Sequence, residues 1–319
     1  MTKYLITGFS GFVSRHFLNF LESLNEKVSV CGLDLNEPDF DIKSFKWVVC
    51  EFKALDLLQK EEVDNIIYSY QPTHILHLAS YSSVAFSWKN PRASFANNTN
   101  IFLNLIEQVR QIGIKCKILS VGSSEEYGNV TKENLPLKEE MQLFPVSPYA
   151  VARVSQEMLS KVYVDGYGMD IVLTRSFNHI GPYQKEIFVV PSFAKQLCQI
   201  KKENGPYNMV TGNLNIIRDF VDVRDVVKAY FMLLHHGKKG EVYNICSGTG
   251  TSLQNLVDVM SDYLGISVTC QTNPELVRPS DNQIIIGSNA KLSQDVGWQP
   301  AISIEQSLKD IVEYWKSKV

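Results

Sequence analysis

Tyr149 and Arg153 lie four residues apart in SPYAVAR, Ser147 to Arg153. On a helix that spacing puts both side chains on one face, and Pro148 suits the first helical turn. A phenol with a fixed cation beside it is an acid–base pair, because the charge favours the ionised phenol and readies the hydroxyl for proton exchange near neutral pH. Upstream, SVGSSEEYG (residues 120–128) supplies Ser123, Ser124 and Glu125. Ser123 can hold a carbonyl oxygen by hydrogen bond while Tyr149 gives it a proton, the pairing needed when a hydride reaches the carbonyl carbon. The same atoms serve the reverse reaction.

Such a pair needs a cofactor site, and TGFSGFVSRH follows the first apolar run directly. Gly8 permits a tight turn, Gly11 lets backbone approach a pyrophosphate, and a helix starting near Phe12 points its positive end at that anion. Ser14 stands where a third glycine often packs helix against strand, which predicts a slightly shifted helix and an intact site. The next strand ends VCGLD, so Asp34 can accept hydrogen bonds from the adenosine ribose hydroxyls and would repel a 2'-phosphate; NAD(H) is favoured over NADP(H). Asp56 in ALDLL reads equally as an adenine contact or as a capping Asp.

The elements that position these residues alternate. Strands are predicted at Tyr4 to Ile6, Val28 to Leu33, Trp47 to Val49, His74 to Leu78, Lys117 to Val121 and Ile171 to Thr174, most of them continuous apolar runs as in a buried parallel sheet. Val13, Phe17, Phe20, Leu21 and Leu24 share one helical face, and Phe102, Leu105, Ile106 and Val109 another. The fold class is therefore α/β: a doubly wound parallel (Rossmann) sheet over residues 1–175, with 215–245 returning to it. Beyond it, residues 176–214 and 246–319 form a smaller mixed α/β lobe that binds substrate.

The totals exclude several alternatives. The 319 residues carry a net charge of −3 with no basic run, which argues against a nucleic-acid partner. No apolar stretch approaches the length of a membrane span and no leader precedes the first strand; a soluble, cytoplasmic protein is expected. Six cysteines without C-x-x-C spacing and six scattered histidines point away from a disulfide framework or a metal site.

TGFSGFVS, Asp34, HLAS (77–80), GSSEEYG and the Tyr149 helix together resemble the extended short-chain dehydrogenase/reductase family, over essentially the whole chain. TRSFNHIGP, FAKQL, GNLNIIRDFVDVRDVV, YNICSG and RPSDNQIIIGS look like its GDP-sugar branch, above all the GDP-4-keto-6-deoxy-D-mannose reductases. The resemblance implies redox chemistry at C4 of a GDP-linked sugar in a homodimer joined by paired helices. It implies dinucleotide contacts from Gly8, Phe9, Gly11, Phe12, Asp34, Asp56, Leu57, Leu78, Ala79, Ser80, Tyr149 and Arg153. For the GDP-sugar it implies Ser83, Ser124, Asn178, Val190, Lys195, Arg218 and Arg278; an arginine fork suits phosphate oxygens, although Arg218 beside Asp219 could instead be an ion-pair partner.

One departure is serious. Arg153 replaces the family lysine, and a longer, planar cation that never gives up its proton keeps the electrostatic role and offers no proton relay. Slow turnover or tight cofactor retention is the expectation. Three other readings stay open: a C4 dehydrogenase of a GDP-hexose or GDP-heptose with retained NAD, a GDP-sugar 4,6-dehydratase or epimerase with Glu125 as base, and a non-catalytic nucleotide-sugar or NAD-binding module.

Overall fold

The computed structural model describes residues 1–205, 207–276 and 282–319. The first unit runs β1 (Lys3–Thr7), α1 (Phe12–Ser23), β2 (Val28–Asp34), β3 (Val48–Ala54), α2 (Lys60–Tyr70), β4 (His74–His77), α3 (Val84–Lys89), α4 (Pro91–Ile112), β5 (Lys117–Ser123), α5 (Pro148–Tyr167) and β6 (Asp170–Ser176). The chain continues through β7 (Asn178–Ile180), α6 (Val189–Glu203), β8 (Asn208–Thr211), β9 (Ile217–Asp222), α7 (Val223–His236), β10 (Val242–Ile245) and β11 (Gly250–Ser252). It ends with α8 (Leu253–Leu264), β12 (Thr269–Thr272), β13 (Ile284–Ile285), α9 (Ala290–Val296) and α10 (Ile304–Lys316).

Seven parallel strands form the large sheet in the order β10-β6-β5-β4-β1-β2-β3. The order reverses between β1 and β4, and at such a switch point the loops leaving the two strands diverge and open a crevice at their carboxyl ends. Apolar faces cover both sides. Phe17, Leu18 and Leu21 of α1 pack with Val227, Tyr230 and Leu233 of α7 on one face; Val63 and Ile67 of α2, Phe102 and Leu105 of α4, and Tyr163 of α5 pack on the other.

Most strands lie where the apolar runs predict them. β3 runs five residues past the expected Val49, because as an edge strand it is wet on one side and its Glu51 and Lys53 are exposed, which breaks the apolar run without breaking the strand.

The second unit centres on β9, which pairs with β7, β11 and β13, beside a β8–β12 pair and a core shared by α6, α8 and α10. The expected return to the large sheet at residue 215 falls a few residues later: β9 pairs only within the small sheet, and the chain rejoins the core beneath the large sheet from Val221 at the end of β9 into α7. A second correction concerns residues assigned wholly to the small lobe. Leu292 of α9 and Trp298 pack into the core beneath the large sheet, where the Trp298 indole donates to the Asp225 carbonyl at 2.9 Å.

Among the described residues no helix is long and apolar enough to cross a membrane, and no group of His, Cys, Asp or Glu is placed to hold a metal ion.

Candidate active site

The turn after β1 is tight and packs closely against the loop after β4. Gly8 has φ +69°, and a Cβ there would lie 2.8 Å from the Ala79 nitrogen, so both conformation and space demand glycine. The loop after β4 is held against it by Leu78 N–H to the Thr7 carbonyl (3.2 Å) and Ala79 N–H to Thr7 Oγ1 (3.2 Å). Gly11 donates to the Gly8 carbonyl at 3.1 Å and stands at the N-terminus of α1, which no side chain caps. The first amides of α1 thus remain for an anion. Ser14 is fully buried where the third glycine was expected, and its hydroxyl donates back to the Gly8 carbonyl at 3.3 Å.

Asp34 closes β2. Its carboxylate accepts Ser10 N–H at 3.0 Å and Asn36 N–H at 3.3 Å, which fixes the acid beside the glycine turn. The Asp56 carboxylate accepts Leu58 N–H at 2.9 Å, a capping role in the turn before α2, and Leu57 is buried behind it. Ser80 Oγ is buried without a hydrogen-bond partner among the described residues. Phe9 contributes only backbone, because its ring lies in the core between Phe40 and Phe52. Phe12 stacks on His179 of β7, with ring centroids 5.7 Å apart.

The acid and its cation start at the head of α5. Ser147 Oγ accepts Ala150 N–H at 3.1 Å and Pro148 occupies the first turn, so Tyr149 enters the helix at a fixed angle. Arg153 Nε donates to Tyr149 Oη at 3.2 Å, and both side chains are about 95% buried. Nη1 of the guanidinium donates to the Val121 carbonyl on β5 at 3.1 Å and to Gln156 Oε1 at 2.7 Å. Gln156 Nε2 in turn donates to Ser120 Oγ at 2.9 Å, which Ser160 also meets at 3.2 Å. The guanidinium is therefore braced on three sides and faces inward. His77, fully buried, shares a hydrogen bond of 2.9 Å with Thr7 Oγ1 through Nδ1. Burial, with the Arg153 charge adding to it, pushes His77 down to about 3, so it stays neutral and adds no second cation.

Ser123 ends β5 at the same sheet edge. Its Oγ accepts Glu125 N–H at 3.2 Å, which leaves the hydroxyl hydrogen to donate, and its backbone N–H donates to Glu126 Oε1 at 2.7 Å. Ser124 is buried in the turn that follows and Glu125 is half-buried beside it.

The expected sugar-nucleotide residues are less collected. Asn178 is exposed at the head of β7 and Ser83 N-caps α3. Val190 lies inside the small-lobe core, and Lys195 forms an ion pair with Glu186 at 2.8 Å while reaching over the Trp315 ring. Arg218 donates to the carbonyls of Ile217 and Asn282 at 2.9 and 2.7 Å. Asp219, the alternative partner suggested for it, points instead at Ser247, Gly248 and Gly287, accepting four hydrogen bonds of 2.7 to 3.2 Å. Arg278 lies outside the described residues. Sequence reasoning gave no role to Gln156, Ser120 or His77: Ser120 and His77 open the quoted stretches SVGSSEEYG and HLAS, and Gln156 is a polar side chain one turn beyond Arg153 on the same helix face.

Known proteins resemble this chain in sequence and fold. The family described as GDP-mannose 4,6 dehydratase matches residues 5–311. A GDP-6-deoxy-D-mannose reductase of Pseudomonas aeruginosa is 31% identical over 100% of this chain and 99% of its own. The solved structure of RMD from Pseudomonas aeruginosa complexed with NADPH superposes with a TM-score of 0.88 at 30% identity, covering all of both chains. A UDP-glucose 4-epimerase of Thermus thermophilus in complex with NAD follows at a TM-score of 0.86 and 27% identity, again over all of both chains.

The bracing of Arg153 predicts that Gln156→Ala, which removes an acceptor from a buried cation, destabilises the protein by about 2 kcal/mol. Urea unfolding of the two proteins measures this.

Proposed function

The chain belongs to the GDP-mannose 4,6-dehydratase family of extended short-chain dehydrogenases/reductases, and on that premise we propose that it is a nicotinamide-dependent reductase of the C4 carbonyl of a GDP-linked sugar. The sugar is of the 4-keto-6-deoxy-mannose type. The observation that carries the reading is the Arg153 Nε to Tyr149 Oη bond, in a buried position at the carboxyl edge of the sheet. A full-length likeness to a GDP-6-deoxy-D-mannose reductase supports the choice of substrate.

Gly8, Gly11, Asp34 and Ala79 would hold the dinucleotide, which supplies the hydride for C4 when bound. Tyr149 gives its proton to O4 as the carbonyl becomes a hydroxyl. Arg153 then stabilises the negative charge left on the phenol oxygen, through a charge-assisted hydrogen bond strengthened by burial. Ser123 donates to O4 and holds it within reach. Arg218 and Arg278 would meet the nucleotide diphosphate, and Asn178 the sugar. Asp34 at the end of β2 favours NAD(H), since a 2'-phosphate would sit against its carboxylate.

A homodimer completes the proposal. Val151, Met158 and Val162 of α5 are exposed on one stripe, and at its head Val151 joins Trp88 of α3 and Phe95 of α4 in lining an open groove of about 740 Å³. Long helices with an unpartnered apolar face suit isologous pairing with a second copy. Val151→Glu combined with Val162→Glu is expected to halve the mass measured by sedimentation equilibrium.

The activity is tested by following NADH and NADPH oxidation with GDP-4-keto-6-deoxy-mannose. We expect higher kcat/KM with NADH, and a fall in kcat of about 10²- to 10⁴-fold in Tyr149→Phe with little change in KM. Undiminished turnover in Tyr149→Phe would remove the tyrosine from the chemistry.

A further inference from the structure

Behind Ser123 lies a carboxyl that the proposed chemistry does not touch. Glu126 is fully buried, and its Oε1 takes the Ser123 N–H at 2.7 Å. Space has been made for it: a Cβ on Gly122 would fall 2.4 Å from that oxygen and 2.4 Å from the Thr174 carbonyl. Glu157 of α5 faces it, itself buried. Arg175 of β6 clamps Glu157 through two bonds of 3.0 and 2.9 Å, and Lys161 adds a third at 2.8 Å. A further Arg175 bond goes to the Glu139 carbonyl at 3.0 Å, and the guanidinium lies over the Tyr127 ring. These bonds of the two cations all go to groups other than Glu126, whose Oε2 has no hydrogen-bond partner among the described residues.

An ionised Glu126 would be a buried anion with one bare oxygen next to a second anion, an arrangement proteins avoid by protonating one of the two. As a carboxylic acid it has a partner, because the Glu157 carboxylate can accept its proton. We propose that Glu126 is a positioning residue for Ser123: a neutral carboxyl whose carbonyl oxygen anchors the Ser123 N–H and whose hydroxyl donates to ionised Glu157. The proposal rests on the reading of Ser123 as the group that holds the substrate oxygen. Electrostatics agrees in direction. Burial first, then the Glu157 charge, raises the Glu126 carboxyl well above the usual carboxylate range against the opposing pull of the Ser123 amide and Arg175. The Arg175 and Lys161 bonds outweigh burial for Glu157 and hold it below that range.

The groups facing Glu126 are Glu157 from α5 and Arg175 from β6; Lys161 is bonded to Glu157, and the ring of the next residue, Tyr127, lies against Arg175. An acid raised in the folded protein contributes stability that is fully present below its unfolded value and lost as pH rises to the folded one. In that window one retained proton lowers the folded-to-unfolded ratio about tenfold per pH unit.

Glu126→Gln isolates this proton, since the amide keeps an acceptor for Ser123 and a donor for Glu157 and does not titrate. Urea unfolding of both full-length proteins between about pH 5 and 8 should show the wild type losing up to about tenfold per pH unit relative to Glu126→Gln. Parallel profiles would overturn the proposal, and this readout needs no enzymatic activity. In turnover, Glu126→Gln should stay within about threefold of wild type, whereas Glu126→Leu, which strips the acceptor from the Ser123 amide, should lose about tenfold or more in kcat with KM nearly unchanged. A Glu126→Leu protein with wild-type kcat would sink the positioning role even if the acid proves protonated.

Discussion

A guanidinium buried between a helix and a strand is what the rest of this molecule must accommodate. Arg153 brings a full charge into a place where it is about 95% shielded from water, and an unmatched charge there would be strongly destabilising. The protein matches it with the Val121 carbonyl, the Gln156 side chain and the Tyr149 oxygen. Because these acceptors come from β5 and from two turns of α5, satisfying the charge also sets the helix on the sheet. The phenol is oriented by the same bonds that stabilise the fold.

Around that point the geometry follows from parallel strands and small residues. The carboxyl ends of β5, β4, β1 and β2 lie along one edge of the sheet, with the switch in strand order between β4 and β1, and Gly8 and Gly122 give up side chains where the chain must pass close to Ala79 and Glu126. Ser123, held by its own backbone N–H, and Tyr149, held through Arg153, are thereby supported from behind by buried groups and need no ligand to order them. Arginine in place of lysine led to an expectation of slow turnover or tight cofactor retention; the guanidinium finds acceptors in Gln156 and the Val121 carbonyl.

What could be read from the sequence was local. Gly8, the Asp34 strand end and Ser147-Pro148 announce their conformations through residue chemistry within a few positions, and the buried strands through continuous apolar runs. The edge strand β3 hid its second half behind Glu51 and Lys53, and β7, β11 and β13, of two or three residues each, are too short to show a period. Partnerships across the fold left little trace. Nothing near Lys195 reveals its pairing with Glu186, nothing near Arg218 shows that Asp219 turns away to cap two loops, and Trp298 returns to the first core from far along the chain.

The most direct test of the central claim is kcat for Arg153→Lys with a GDP-4-keto sugar. A lysine reaching Tyr149 cannot also meet Val121 and Gln156 in the guanidinium's geometry, so the account predicts a loss of about tenfold or more, equivalent to about 1.4 kcal/mol or more of misplaced hydrogen bonding. Equal or faster turnover in Arg153→Lys would contradict it and would mean that the braced guanidinium is dispensable to the tyrosine's work.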